Sequence, residues 1–145
     1  GPVLGICNGF QVLCEAGLLP GALLPNCGLR FVCREVEVEV ASAATPFTRC
    51  TEPGTRLRIP VKHQSGRYWA PPDVLDTLER TGRVVFRYAP GHNPNGSERN
   101  IAGVVSAEGN VVGLMPHPEH AVDALLGSAD GAVLFECVAR AEVAA

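Results

Sequence analysis

The chain has 145 residues, 46% of them hydrophobic and 19% charged, which is enough apolar content for one domain with a sizeable core. Twelve basic against fifteen acidic residues leave a net charge of −3, with no lysine or arginine cluster to follow a phosphate backbone or an anionic bilayer. No apolar run approaches the roughly 18 residues of a membrane-spanning helix, so nucleic-acid binding and membrane insertion are both set aside.

Val3 to Ile6 is a short apolar run of the buried-strand type. Cys7-Asn8-Gly9 follows, and then Phe10, Val12, Leu13 and Ala16 at helical spacing as far as Gly17, which predicts strand, tight turn and helix. Between Phe31 and Val40 the valines at 36, 38 and 40 alternate with glutamates at 35, 37 and 39, the period of a half-exposed strand. A second extended segment is expected over 56–63. Asp73, just after Pro71-Pro72, reads as the N-cap of a short helix over Val74, Leu75 and Leu78 that ends near Gly82.

Three further strands are predicted at 84–88, 101–105 and 111–115, the last two joined through the turn residues Glu108-Gly109-Asn110. A final helix is expected to start near Ser128-Ala129-Asp130 and to bury Val133, Leu134, Cys137 and Val138. Strands mixed with helices give an α/β class, and the hairpin and the alternating strand call for a mixed sheet. No linker, repeat or low-complexity segment divides the chain, so residues 1–145 read as one domain.

The six cysteines at 7, 14, 27, 33, 50 and 137 include no Cys-x-x-Cys pair and follow no secretory signal. A reducing cytoplasm is the expected setting, with most of the thiols acting as small core hydrophobes and no metal site. The chain opens on Gly1-Pro2 without methionine and runs straight into an apolar strand, so an N-terminal part is expected to be missing.

Two stretches carry chemistry. Gly5-Ile6-Cys7-Asn8-Gly9 has the form of a nucleophile elbow, a strand-to-helix turn that lifts the Cys7 sulfur clear of the sheet. The first free N–H groups of the following helix, chiefly that of Asn8, then point to where a thiolate or an oxyanion would sit. Taken alone, the same residues read equally as a glycine-rich turn around a buried thiol. In Pro116-His117-Pro118-Glu119, Pro118 favours extended backbone at His117, so the imidazole and the Glu119 carboxylate project on one face. That supplies a base and the group that fixes its tautomer, although a lone His-x-Glu is more often a solvated loop. Both stretches follow predicted strands, where open α/β sheets carry their sites.

Gly5-Ile6-Cys7-Asn8-Gly9-Phe10-Gln11 together with Pro116-His117-Pro118-Glu119 resembles the class I glutamine amidotransferases, the Cys-His-Glu glutaminases. Asn93-Pro94-Asn95-Gly96-Ser97, Ile101-Ala102-Gly103 and His63-x-x-Gly66-Arg67-Tyr68 are similar, within that class, to the glutaminase subunits of phosphoribosylformylglycinamidine synthases of purine biosynthesis. The resemblance implies a flavodoxin-like, three-layer fold. It makes Cys7 the nucleophile, His117 its general base and acid, Glu119 the orienting carboxylate and Asn8 the oxyanion donor. It also makes Gln11, His63, Gly66, Arg67 and Tyr68 substrate-side residues. Gln64 and Ser65 depart from the family's pattern in that segment, and nothing corresponds to the family's N-terminal strands and their second oxyanion donor. His63 is otherwise open to a reading as a second base.

The resemblance further implies that L-glutamine is hydrolysed to glutamate and ammonia. With no phosphate-binding Gly-x-x-x-x-Gly-Lys loop in this chain, ATP and Mg are expected on a large synthetase subunit, with a small accessory subunit completing the complex. The rival expectations are a glutaminase serving another synthase and an incomplete fragment that only binds its partner. The remaining features read blandly: Asn95-Gly96-Ser97 as a loop, His92 and His120 as solvated histidines, Trp69 as packing under a loop.

Overall fold

The computed structural model describes residues 1–143. Its elements in chain order are β1 (Val3–Ile6), α1 (Asn8–Glu15), β2 (Ala22–Leu24), β3 (Val32–Val40), β4 (Arg56–His63), β5 (Arg67–Trp69), α2 (Pro72–Arg80), β6 (Val84–Tyr88), β7 (Ile101–Val105), β8 (Val111–Leu114) and α3 (Ala132–Val143). Short 3-10 turns span Glu98–Asn100, Pro118–His120 and Ala124–Leu126.

Six strands form a mixed sheet in the order β1-β8-β7-β6-β3-β4, and β2 pairs with β5 in a separate two-stranded ribbon. Only β1 and β8 run parallel, with Val3 opposite Val111 and Ile6 opposite Leu114; the other ladders are antiparallel. One apolar cluster packs Phe10 of α1 and Leu75 and Leu78 of α2 against Val84, Ile101, Val104 and Met115. The opposite cluster packs Leu134 of α3 against Val36, Val38, Ile59, Phe86, Val112 and Leu114. The sheet is therefore the middle of three layers, each face covered by helix, as α/β architectures require.

The alternation in β3 works as its sequence predicts: Val36, Val38 and Val40 are buried, while Glu37 and Glu35 face Arg56 and Arg58 of β4 at 2.6 and 3.7 Å. These pairs are half exposed, so their worth is modest. Phe31, expected inside this strand, lies ahead of it and is exposed.

Three expectations are corrected in their detail. Pro72 occupies the first turn of α2 and Pro71 is its N-cap, so Asp73 caps nothing with its side chain; it adds a carboxylate to the first turn, where the helix dipole favours it. The last helix begins at Ala132 rather than near 128, because the Asp130 carboxylate accepts from the Arg58 backbone N–H at 2.8 Å and holds the preceding residues outside the helix. Val12 points outward from α1 at 54% exposure, while Phe10 is wholly buried. The ribbon of β2 and β5 has no clear sequence signal, since each strand is only three residues long.

Cys50 and Cys137 are joined as a disulfide with their Cα atoms 5.3 Å apart, so these two are not the separate core fillers expected of them. The thiols at 7, 14, 27 and 33 are free. Among the described residues, no helix is long and apolar enough to cross a membrane.

Gly5 governs how closely α1 approaches the sheet. A Cβ at this position would overlap Leu13 and come within 2.8 Å of the Gly9 backbone, whereas a Cβ at Gly9 would meet open space. The two glycines thus answer to one contact, with the side-chain restriction at Gly5 alone. Gly5→Ala is expected to destabilise the fold by about 1–3 kcal/mol through overpacking, read as a lower midpoint in urea unfolding, while Gly9→Ala stays near neutral.

Candidate active site

Cys7 connects β1 to α1 with φ +52° and ψ −106°, a left-handed conformation that a side chain rarely adopts. Strain of this kind persists only where its surroundings hold it. Here the Cys7 N–H donates to the Leu114 carbonyl at 2.8 Å, extending the β1–β8 ladder, and the Cys7 carbonyl accepts from Gln11 N–H at 3.2 Å, starting the helix. Asn8 is the first residue of α1 and exposed, so its N–H belongs to the set a helix leaves without an internal partner.

The chain leaves β8 through Met115 and Pro116 to His117, whose own N–H donates to the Pro60 carbonyl of β4 at 2.8 Å. Because β1 and β8 are parallel and in register, Cys7 and His117 emerge at the same edge of the sheet. His117 Nδ1 and Glu119 Oε1 are 2.6 Å apart, a charge-assisted hydrogen bond. The remaining nitrogen, Nε2, is buried without a hydrogen-bond partner, and the Cys7 sulfur meets the Lys62 carbonyl at 3.7 Å. The thiol is nevertheless close enough to be the strongest influence on the imidazole. Cys7 first, and Glu119 after it, outweigh the burial that opposes them and push the His117 pKa up to about 9. At neutral pH this imidazole holds its proton.

His120 is exposed, as expected, and it also stacks on His117 with ring centroids 4.9 Å apart and planes 7° from parallel. Its Nε2 lies 3.8 Å from the same Glu119 oxygen. His117, Glu119 and His120 offer ligating atoms within 4.8 Å of one another. The 2.6 Å separation of Nδ1 and Oε1 is a hydrogen-bond distance, however, and adjacent ligands of a cation bonded at about 2.0–2.1 Å stand farther apart. The cluster is built as a proton-holding pair.

The segment from His63 to Tyr68 divides between surface and core. His63 is buried, and its Nε2 pairs with the Asn95 amide nitrogen at 2.9 Å. Burial first, then the charge of His117, lower its pKa to about 4, so it stays neutral where His117 is charged. Gly66 packs under the His63 ring, which a Cβ would overlap. Tyr68, expected beside substrate, lies in the core at 1% exposure, stacked on Phe10 at 5.8 Å and donating its hydroxyl to the Pro20 carbonyl at 2.7 Å. Arg67 remains half exposed, 3.9 Å from Glu98, and Gln11 lines a hollow with Cys14, Glu15, Gly21, Ala22 and Leu23. Trp69 is 41% exposed instead of packed beneath a loop.

Two buried amides missed by the sequence reading hold this segment in place. Asn95 is fully buried; it donates to the Gly66 carbonyl at 2.8 Å and accepts from the Ser97 hydroxyl at 2.6 Å. Asn26 donates to the carbonyls of Arg30 and His63 at 2.8 and 3.0 Å and accepts from Gly66 N–H at 3.1 Å. The carbonyl of Gln64, one of the two departures from the family pattern, accepts from Asn26 N–H at 2.9 Å, a backbone contact that any residue could supply. His92 is likewise engaged, its Nδ1 accepting from Glu37 N–H at 3.1 Å. The sequence signal for these roles was the Asn93-Pro94-Asn95-Gly96-Ser97 cluster, in which Asn93 Oδ1 accepts from three successive backbone N–H groups.

The chain is similar to known proteins in both sequence and fold. The profile of the CobB/CobQ-like glutamine amidotransferase domain matches residues 2–131. The phosphoribosylformylglycinamidine synthase subunit PurQ of Mycolicibacterium paratuberculosis is 64% identical over 138 residues, covering 94% of this chain and 61% of its own length. That of Rubrobacter xylanophilus is 60% identical over 144 residues, 99% of this chain and 64% of its own. Among solved structures, PurLQS from Thermotoga maritima superposes with a TM-score of 0.86 at 45% identity, over 97% of this chain and 62% of that one. A glutamine amidotransferase from the same organism, at TM-score 0.53 and 24% identity over 99% of this chain and 56% of that one, shares the fold. The chain spans about three fifths of the length of the curated relatives it matches.

The two histidines give opposite pH signatures. His63 has a folded pKa below its ordinary 6.5, so its contribution to stability is complete above pH 6.5 and is lost as the pH falls toward 4. His117 has a raised pKa, so its contribution is complete below pH 6.5 and is lost as the pH climbs through about 9. Melting temperatures of the wild type and His63→Gln, taken across this range, should converge at the acid end. A gap that stays constant from pH 7 to pH 4 would show that His63 does not titrate in this way.

Proposed function

The chain belongs to the CobB/CobQ-like glutamine amidotransferase family, and from that premise we propose that it hydrolyses the side-chain amide of L-glutamine as the glutaminase component of a phosphoribosylformylglycinamidine synthase. The observation that carries this reading is the meeting of Cys7 and His117 at the ends of two parallel-paired strands, with Glu119 2.6 Å from the far ring nitrogen.

With its proton passed to His117, the Cys7 sulfur attacks the amide carbon of glutamine as a thiolate while the Asn8 N–H at the start of α1 receives the developing oxyanion. His117, protonated at neutral pH, hands its Nε2 proton to the leaving nitrogen, and ammonia departs from a thioester. The neutral imidazole then takes a proton from water, the hydroxide adds to the thioester, and collapse releases glutamate with the sulfur as leaving group and the imidazole again protonated. Glu119 keeps the ring oriented and its charge balanced in both halves.

On the substrate side, Gln11 and Arg67 are the groups able to reach a ligand, while the buried Gly66, its N–H and carbonyl held by Asn26 and Asn95, supports them from beneath with His63 and Tyr68. Ammonia passes to a large synthetase subunit, which uses ATP and Mg to convert formylglycinamide ribonucleotide to its amidine, with a small accessory subunit in the assembly. The PurLQS structure from Thermotoga maritima superposes on this chain and supports that partnership.

In the assembled enzyme, Cys7→Ala is expected to abolish glutamine-dependent synthesis and leave ammonia-dependent synthesis intact; glutamine-driven product from that variant would overturn the mechanism. Glu119→Gln, which keeps the size of the side chain but not its charge, should lower glutaminase turnover by about 100 to 10,000-fold with KM little changed. A glutamine-like electrophile should label Cys7 and none of the other free thiols, as mass mapping would show.

A further inference from the structure

We infer that Cys50 and Cys137 form a reversible thiol–disulfide site that clamps α3 against the loop bearing His117 and Glu119. The pair lies outside the glutaminase machinery, and its chemistry holds whatever that loop catalyses.

Three observations meet here. The Cα separation of 5.3 Å is within the span a disulfide bridges without moving backbone. Both ends are firmly mounted: Cys137 is buried at 1% exposure on α3, beside the core residue Leu134. Cys50 follows a turn in which Thr45 and Thr48 share a 2.8 Å hydroxyl contact, Thr51 donates to the Thr48 carbonyl at 2.6 Å, and Phe47 is sunk into the core. Finally, the start of α3 leans on the catalytic loop. Gly131 N–H donates to the Ala121 carbonyl at 2.8 Å, and a Cβ on Gly131 would overlap the Pro118 carbonyl, so residues 118–121 and the head of α3 are in direct contact.

Exposure differs sharply across the pair, since Cys50 is exposed and Cys137 is not. This asymmetry sets the order of exchange with a low-molecular-weight disulfide such as oxidised glutathione. The Cys50 thiolate attacks one glutathione sulfur, forming a mixed disulfide and expelling one glutathione thiolate. The Cys137 thiolate then attacks the Cys50 sulfur, closing the protein bridge and expelling the second. The chain gives up two electrons and two protons, and one oxidised glutathione becomes two reduced. A dithiol reverses both steps. Closing a loop between residues 87 apart in sequence restrains the unfolded chain strongly, so the bridged form is the more stable one.

The experiment equilibrates the protein with reduced and oxidised glutathione at graded ratios, then applies rapid alkylation, peptide mass mapping, thermal melting and amide hydrogen exchange. The Cys50–Cys137 peptide should accumulate with the oxidised fraction. The bridged form should melt about 10 °C above the reduced form. Reduction should speed exchange at 118–121 as well as in α3 by tenfold or more. Cys50→Ser, a substitution at the surface, should melt at the reduced protein's temperature under every ratio, and Cys50→Ala should repeat that result. Complete alkylation of Cys50 at all ratios, a bridge formed through Cys27 or Cys33 instead, or equal melting of the two forms would each overturn the site. Faster exchange confined to α3 would overturn the clamp on the catalytic loop.

Discussion

Because Ile6 stands opposite Leu114 in parallel register, the chain leaves β1 and β8 at the same edge of the sheet and in the same direction. An antiparallel pair would have sent the two continuations to opposite ends. The exit from β1 must turn sharply into α1, which puts Cys7 at a positive φ, and the exit from β8 runs through Pro116 to His117, ahead of the 3-10 turn that carries Glu119. The rest of the sheet secures this one pairing: β7 holds β8 from its other side, Gly113 leaves room for Phe10 where a Cβ would overlap the ring, and the N–H of His117 reaches across to Pro60 of β4.

Two histidines, His63 and His117, sit near enough for the charge of one to act on the other, yet their environments drive them apart. The first is buried against an amide and kept neutral; the second is flanked by a thiol and a carboxylate and kept charged. The same imidazole thus stays neutral in one place as a fixed hydrogen-bonding strut and holds its proton in the other. Asn26, Asn95 and Ser97 belong with the strut. Each is buried with its polar atoms engaged, which is the condition under which interior polar groups rigidify a site at little cost in stability.

The strands were legible in the sequence wherever one periodicity dominated. The Val–Glu alternation marked β3, the apolar run before Gly-x-Cys-x-Gly marked β1, and the Glu108-Gly109-Asn110 turn marked the β7–β8 hairpin. The ribbon of β2 and β5 escaped because three-residue strands are shorter than any repeat they could display. At the site, local motifs pointed to Cys7, His117 and Glu119, whereas Asn26 and Asn95 acquire their meaning only from partners about 30 to 40 positions away. Tyr68 was misplaced, and the stacking of the exposed His120 on His117 went unforeseen, for a related reason: burial and ring stacking depend on what the rest of the chain brings alongside, and neither neighbour is announced locally.

The Asn95-Gly96 step has a bearing on how the molecule ages. Asn-Gly is the dipeptide most prone to spontaneous deamidation, in which the glycine nitrogen attacks the asparagine amide carbon to close a succinimide ring. In the folded chain the glycine N–H is held by Asn93 Oδ1 at 3.0 Å, and the Asn95 amide is locked between His63, Gly66 and Ser97. Ring closure would require breaking that whole set of contacts at once, so the fold acts as a kinetic shield over this Asn-Gly step. Only molecules that have opened around this loop can be damaged there. Once Asn95 became a carboxylate, it would lose the donor that serves the Gly66 carbonyl, and such a molecule would not return to the same arrangement.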